Sequence, residues 1–422
     1  MKHKANKIAR LLVIILLSSP VFGQKAVVVT TDFFSAGGLS VYDPQTTTAT
    51  NDVILIHSDA VVRTHGDRVY VLNRLNQDNI IVLSKDDLTT PIIQYSTGDG
   101  SNPHDIEIVS EDKAYVTLYE RDYILVLNPA TGDSLGAIDI SAYADADGIP
   151  ETSQLTSYQG KLYAVAQRLD RNGSFFPPTD FSTVIVIDTN TDTLIDTDTV
   201  TEGVQGIRLE TKNPSGDTRR GGKWVLSTVG SFGANDGGIE VVDLATTSTD
   251  GVALTEAQLG GDVGALAMVS DAKGYVVISD PSFANNVIPF DLSSQTTETM
   301  LSDHSGGFTP SVGVLGNTLY VLDRGQFDDP SQAGLRLYDT STNTLTSGPI
   351  ATGLPPSGVV FIDVKPADYD GNGEVAFEDF LLFAAAFGKS QGEAGYGSQF
   401  DLSGDGTVDF QDFLFFAEVF GQ

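Results

Sequence analysis

The sequence predicts an all-β chain, a seven-bladed β-propeller over residues 25–364, followed by a small helical module over 366–422. From Lys25 to Val364 short apolar runs are separated by Gly, Asp, Asn and Thr with no sustained 3.6-residue period, the pattern of strands joined by turns. In the same segment one aromatic landmark recurs behind a turn, and after Pro366 a second pattern occurs twice in an acidic, Phe-rich tail.

Composition bounds the function. The 422 residues carry 24 Lys+Arg against 56 Asp+Glu, a formal charge of −32 that repels phosphate backbones and argues against a nucleic-acid partner. With 41% hydrophobic and 19% charged residues the bulk is globular. There is no cysteine, so disulfides, thiol catalysis and cysteine-ligated metals are excluded.

Residues 1–23 read as a secretory signal peptide. Lys2, Lys4, Lys7 and Arg10 precede the apolar run Leu11–Leu17, then Ser18, Ser19, Pro20 and the small residue Gly23. That run is far short of the roughly 20 residues that span a bilayer. No later apolar run reaches that length, so the expectation is a secreted, extracellular or cell-surface-associated protein with no membrane span.

The propeller rests on repetition. A turn and then an aromatic occur in DRVYVL at Tyr70, DKAYVTL at Tyr115, GKLYAV at Tyr163, GKWVL at Trp224, AKGYVVI at Tyr275 and NTLYVL at Tyr320. A second landmark ends a strand in a polar turn at Asp43, Asn128, Asp188, Asp243, Asp291 and Asp339, where the side chain can bond its own backbone. With IIVLSKDD around Ser84 the units number seven, about 48 residues each, enough for four strands. These units resemble the YVTN-type β-propeller repeats, most closely in NPHDIEIVSEDKAYVTLYERDYILVLNPATGDSLGAIDI from Asn102 to Ile140. That resemblance implies the architecture, in a family that includes binding proteins, surface proteins and enzymes. The first unit, starting at Ala26, lacks an inner strand, and SGVVFID from Ser357 to Asp363 has no unit after it. Pairing of these N- and C-terminal strands would close the ring.

In the tail, DYDGNGEVAFEDFLLFAAAFG from Asp368 and DLSGDGTVDFQDFLFFAEVFG from Asp401 align at a spacing of 33. Each loop, 368–379 and 401–412, places oxygen side chains at positions 1, 3 and 5, Gly at 6 and a carboxylate at 12, the arrangement a hard cation needs. Two calcium ions are expected. Asp368, Asp370, Asn372, the Glu374 carbonyl and Asp379 would hold one, and Asp401, Ser403, Asp405, the Thr407 carbonyl, Asp409 and Asp412 the other. A terminal Asp in place of Glu, and one helix per loop, resemble the dockerin type I repeat, which implies an EF-hand-like attachment module with a cohesin-like or cell-surface partner. Positions 10 and 11 here are Phe377–Glu378 and Phe410–Gln411, where dockerins carry small polar or basic residues. Phe380, Phe383, Ala384 and Phe387, and Phe413, Phe416, Ala417 and Phe420, form an apolar stripe on each helix, and the two stripes are expected to pack together.

No nucleophile elbow, zinc-protease motif, P-loop or dinucleotide fingerprint occurs at a usable position. His57, His104 and His304 precede inner strands on one face of the disc, where a His cluster or a His base is conceivable, although single histidines there more commonly satisfy backbone groups. The same face receives loops rich in aromatics and arginine: Arg168, Arg171, Phe175 and Phe176, then Phe232, Phe283, Arg324 and Phe327. The leading expectation is a non-catalytic propeller binding an extracellular protein or glycan through this face. The alternative is an exported hydrolase or lyase with its site at the channel mouth.

Overall fold

The computed structural model describes residues 24–326, 329–363, 367, 369, 375–397, 400–403 and 406–420. The signal-like segment 1–23, Phe327, Asp368, Asp370, Asn372, Glu374 and Asp405 lie outside them. The described residues divide into two compact units, one within 25–364 and one within 365–422. None of the described helices is long and apolar enough to cross a membrane.

The strand-ending Asp and Asn residues build their turns as their short side chains favour. Asp43, Asn128, Asp188, Asp243 and Asp339 each accept the N–H two residues on, at 2.8 to 2.9 Å, and Asp291 that of Ser294 at 2.8 Å. The residue four positions after the Asp must then turn left-handed: Thr47, Asp192, Thr247, Gln295 and Asn343 lie at φ between 54° and 58°. In the third unit Gly132 takes this place at φ 77°, and a Cβ there would lie 2.3 Å from the Tyr95 ring.

These turns join seven sheets, the blades, six of four strands and one of five. Blade 1 runs Pro356–Asp363, Gln24–Thr31, Gly37–Asp43, Thr48–Ile56, so strands from both ends of the propeller segment share one sheet. Blades 2 to 7 begin with the inner strands Ala60–His65, Pro103–Ser110, Thr152–Tyr158, Pro214–Arg220, Asp262–Met268 and Val312–Leu315. The outer strand shrinks to Thr193–Leu194 in blade 4 and Thr296–Thr297 in blade 6. In blade 4 the chain bonds to itself instead, Thr197 N–H to Gln205 O at 2.8 Å, and returns through Ile207–Arg208. This detour and the long Gln167–Phe181 loop explain the widened interval between Tyr163 and Trp224.

Because side chains alternate along a strand, each blade buries both faces, one against each neighbour. In Arg68–Asn73, Val69 and Val71 join the cluster shared with blade 1, while Tyr70 and Leu72 join the one shared with blade 3. Seven such clusters exist, and the one holding Tyr42, Val28, Tyr320 and Leu322 lies between blades 7 and 1. The Lys-x-Tyr landmarks add polar latches. Lys113 Nζ and Tyr115 OH reach the next blade's turn at Thr189 O and Asp192. Lys161 and Tyr163 bond Thr247 and the Leu244 carbonyl, and Lys273 and Tyr275 bond Asn343 and the Thr340 carbonyl. The left-handed turn residue is therefore the receptor for the neighbouring landmark.

Three short α-helices are described, α1 (Glu256–Leu259) in the propeller, and α2 (Phe377–Ala386) and α3 (Phe410–Val419) in the second unit. The apolar stripes of α2 and α3 match the predicted ones in part: Phe380, Phe383, Phe413 and Phe416 pack together in one core. Ala384 and Ala417 are exposed, and Phe387 and Phe420 remain 46% and 49% exposed. The buried carboxylates Asp379 and Asp412 bond loop backbone, and Ala386 is buried, so the inward face also takes in positions 379, 386 and 412. Phe383 stacks on Phe416 at 5.4 Å and 19°.

A chain ending at Lys365 should melt like the propeller of the full protein, and one ending at Pro355, lacking the inner strand of blade 1, should melt well below it. Thermal denaturation followed by circular dichroism compares them, and equal melting of the two truncations would contradict a structural role for Pro356–Asp363.

Candidate functional site

The loops between second and third strands and the connections into inner strands emerge on one side of the propeller. Three of these loops carry a ladder of rings: Phe175 stacks on Phe232 at 5.7 Å and Phe232 on Phe283 at 5.3 Å, with planes 25° and 12° apart. The rings are 76%, 40% and 61% exposed. Phe33 and Phe308 form a second pair at 6.1 Å, with the Arg324 guanidinium 3.9 Å from the Phe33 ring. Phe33, Phe175, Phe176 and Phe283 all adopt φ between 46° and 66°. For a bulky residue that conformation costs on the order of 1 kcal/mol or more. Aspartates hold it: Asp32 accepts the N–H groups of Phe34, Ser35 and Ala36 at 2.8 to 2.9 Å, and Asp280 those of Ser282 and Ala284 at 2.8 and 3.0 Å. The N–H bonds keep the Asp32 carboxyl below the usual carboxylate range, and the Ser282 hydroxyl, followed by the two N–H groups, does the same for Asp280.

The arginines expected beside these rings are engaged within the loops. Arg168 pairs with Asp180 at 3.2 Å, and Arg324 donates to Thr31 O at 2.8 Å and Pro355 O at 3.0 Å. Arg171 turns inward to Glu151, 2.8 Å away and fully buried, and to Glu120 and the Tyr119 carbonyl.

The three histidines likewise serve their own connections. His57 Nδ1 accepts the Asp59 N–H at 3.2 Å and His304 Nδ1 that of Gly306 at 3.1 Å. His104 is not ahead of an inner strand but its second residue, stacked on Tyr119 at 4.2 Å and 12° with Arg74 3.5 Å from its Nε2. Burial, reinforced by Arg74, Arg171 and Arg63, keeps His104 well below the ordinary histidine range, hence neutral. Among the described propeller residues no group of three His, Asp or Glu side chains is arranged to hold a metal ion.

What sequence reasoning missed lies in the channel, a cavity of about 800 Å³ lined by the inner strands of all seven blades. Arg63 of blade 2 donates Nε to Asp105 of blade 3 at 2.6 Å, and Asp105 also accepts the Ile106 and Leu155 N–H groups at 2.8 and 2.9 Å. Asp217 of blade 5 accepts the Trp224 indole N–H at 2.9 Å, and Glu107 accepts Ser157 N–H and OH at 3.1 and 2.5 Å. Burial raises the Asp217 carboxyl to about 6 and also raises Glu107, in each case against the pull of an arginine, Arg63 and Arg219 respectively. The available signal was a set of charges inside strand-like runs, VRTH, HDIEIV and GDTRR, where an interior strand should be apolar.

In the second unit, described loop residues offer only oxygen donors. Asp401 accepts the Gly406 N–H at 2.8 Å and the Tyr396 hydroxyl at 2.9 Å. Asp412 accepts the N–H groups of Ser403 and Asp409 at 2.7 Å each, and Asp379 those of Tyr369 and Ala376 at 2.6 and 2.9 Å. Asp409 also caps α3 through the Gln411 N–H at 2.7 Å. Among the described residues of this unit, as of the propeller, no group of three His, Asp or Glu side chains is arranged to hold a metal ion.

No protein-family model and no curated protein matches the chain. Among solved structures it is similar to apo AztD from Citrobacter koseri, at 11% identity and TM-score 0.48 over 81% of this chain and 98% of that one. It is similar also to the dihydro-heme d1 dehydrogenase NirN in complex with DHE (15%, TM-score 0.49, 81% and 75%) and to BamB from Moraxella catarrhalis (14%, TM-score 0.39, 70% and 81%). Identities this low say nothing of activity.

The buried carboxyls make stability depend on pH in an unusual sense. Burial pushes Glu151 and Glu256 up to about 7 and Asp217 to about 6. The unfolded chain keeps these groups ionised until roughly pH 4, whereas the buried His104 and His304 oppose the trend only below about pH 6.5, so between about pH 8 and 6.5 the folded state binds more protons and gains stability as the pH falls. The melting temperature should thus be higher at about pH 6.5 than at about pH 8. Glu256→Gln, which removes one of these titrations, should flatten the rise, and a melting temperature that falls over this range would contradict the assignment.

Proposed function

We propose that this chain is an exported, non-catalytic binding propeller whose loop face recognises an extracellular macromolecule, protein or glycan. The carrying observation is the row of exposed phenylalanines Phe175, Phe232 and Phe283, whose two end members are held at positive φ. Apolar rings in water and bulky residues in left-handed backbone are both unfavourable, and nothing in the packing of the blades requires either. Strain of this kind clusters at sites of recognition. The ladder spans blades 4 to 6, so a partner engages several loops on one rigid frame.

The YVTN-like and dockerin-like readings rest on the residues quoted for them. In this reading Pro356–Asp363 closes the ring, the leader directs export, and the C-terminal doublet binds two calcium ions. Its first ion is held by Asp368, Asp370, Asn372, the Glu374 carbonyl and Asp379, its second by Asp401, Ser403, Asp405, the Thr407 carbonyl, Asp409 and Asp412. Calcium would supply the positive charge that an acid-rich module with the single base Lys389 lacks. Phe377, Leu381, Phe410 and Leu414, 53 to 64% exposed, give that module two matching apolar patches for a cohesin-like or cell-surface partner.

Replacing Phe175, Phe232 and Phe283 together by Ala should abolish capture of the partner from the producing organism's extracellular fraction while leaving the melting temperature within a few degrees. Undiminished capture would refute the loop face. Calorimetric titration with calcium should count two sites in the intact chain and one in Asp401→Ala, with Kd on the order of 10⁻⁴ to 10⁻³ M. Two sites remaining after that change would refute the ligand assignment.

A further inference from the structure

The channel wall is divided in character. Blades 2, 3 and 5 bring Arg63, Arg74, Asp105, Asp217 and Arg219 to it, and Glu107, two residues on from Asp105 in the same strand, is not among the lining residues. Blades 6, 7 and 1 bring Ala265, Ala267, Val314 and Val359. The charges on the polar side are not all paired. Arg63 is committed to Asp105 at 2.6 Å, and Arg219 lies near Glu107 and donates to the Ser157 carbonyl at 2.6 Å. Asp217 accepts only the neutral Trp224 indole N–H and forms no ion pair among the described residues. Arg74, which also lines the channel, is committed to Asp59, so Asp217 is the one lining carboxylate left without a cation of its own among the described residues.

We propose that the channel binds a small organic monocation with an apolar body, its ammonium or guanidinium group against Asp217 and its hydrocarbon part against the Val314–Val359 wall. An anion would meet Asp105 and Asp217, while Arg63 and Arg74 are already committed to the carboxylates of Asp105 and Asp59. A neutral apolar molecule would bury Asp217 without compensating it, and a bare inorganic cation would leave the valine wall wet. About 800 Å³ lies within the range of small-molecule sites. This site is separate from the loop face of the proposed function and does not depend on it, since none of the stacked phenylalanines lines the channel.

The test is calorimetric titration of the full-length protein with benzylamine, and with benzyl alcohol and benzoate as neutral and anionic counterparts. Benzylamine should bind at millimolar concentration or below, at least about tenfold more tightly than either counterpart. Asp217→Asn, which keeps an oxygen for Trp224, should weaken benzylamine at least about tenfold, and Asp217→Glu should retain most of the affinity. Val359→Lys, which tethers an ammonium in the channel without removing a buried partner, should abolish binding and serves as a second variant. Binding should also weaken as the pH falls through about 6, where Asp217 takes up a proton. The other charged or titratable groups around it are Arg63, Arg74, Arg219, Asp105, Glu107 and the neutral His104. Absence of benzylamine binding at millimolar concentration would overturn the proposal. So would benzoate binding as well as the amine, or affinity unaltered in Asp217→Asn.

Discussion

Everything in the propeller depends on the burial of each sheet on both faces. A single four-stranded meander has apolar side chains above and below its plane and cannot hide either set alone. Stability is therefore a property of neighbouring pairs, and the seven clusters between blades are the fold. The latches act at the margin of these contacts, where a tyrosine ring is buried but its hydroxyl must find a partner. Tyr115, Tyr163 and Tyr275 are fully buried, and each finds its acceptor in the neighbouring blade's turn. The lysine two residues earlier reaches the same turn, so one Lys-x-Tyr step joins packing, hydrogen bonding and blade order.

A frame this constrained can hold arrangements that are locally unfavourable. The two candidate sites depart from ordinary burial in opposite directions. On the loop face, phenylalanine is put into water on strained backbone, fastened by Asp32 and Asp280. In the channel, charge is put inside the ring, with Asp105 satisfied by three donors and Asp217 by one. Glu240, by contrast, is buried with donors from Glu210, Thr211 and Thr249 and serves only to tie the blade 4–5 connection to blade 5. Complete satisfaction marks a structural carboxylate, and incomplete satisfaction beside a cavity marks a candidate site.

The C-terminal unit solves the problem of a small core differently. Its interior is a stack of aromatic rings, with Phe383, Phe416, Tyr369 and Phe400 in mutual contact. The carboxylates that end each loop also cap the helix that follows, so loop order and helix start are one event.

By itself the sequence determined the features that are local in the chain. The strand period, the Asx turns at Asp43 to Asp339, the six aromatic landmarks and the exposed loop phenylalanines all depend on neighbours within a few residues, and each was readable there. Tertiary structure alone decided whatever depends on a partner far along the chain. Arg63 meets Asp105 across 42 residues and Leu155 meets Asp105 across 50, so channel charges that looked like stray polar residues in strands became a site only once the ring set them side by side. Arg171 looked available to a ligand until Glu120 and Glu151 came within reach. The helix stripes shifted in part for the same reason: Asp379 and Asp412 are buried against loop backbone, while Ala384 and Ala417 are left exposed. Local chemistry chooses turns and strands, whereas the direction a charged side chain faces is set by which groups the packing of the blades brings to it.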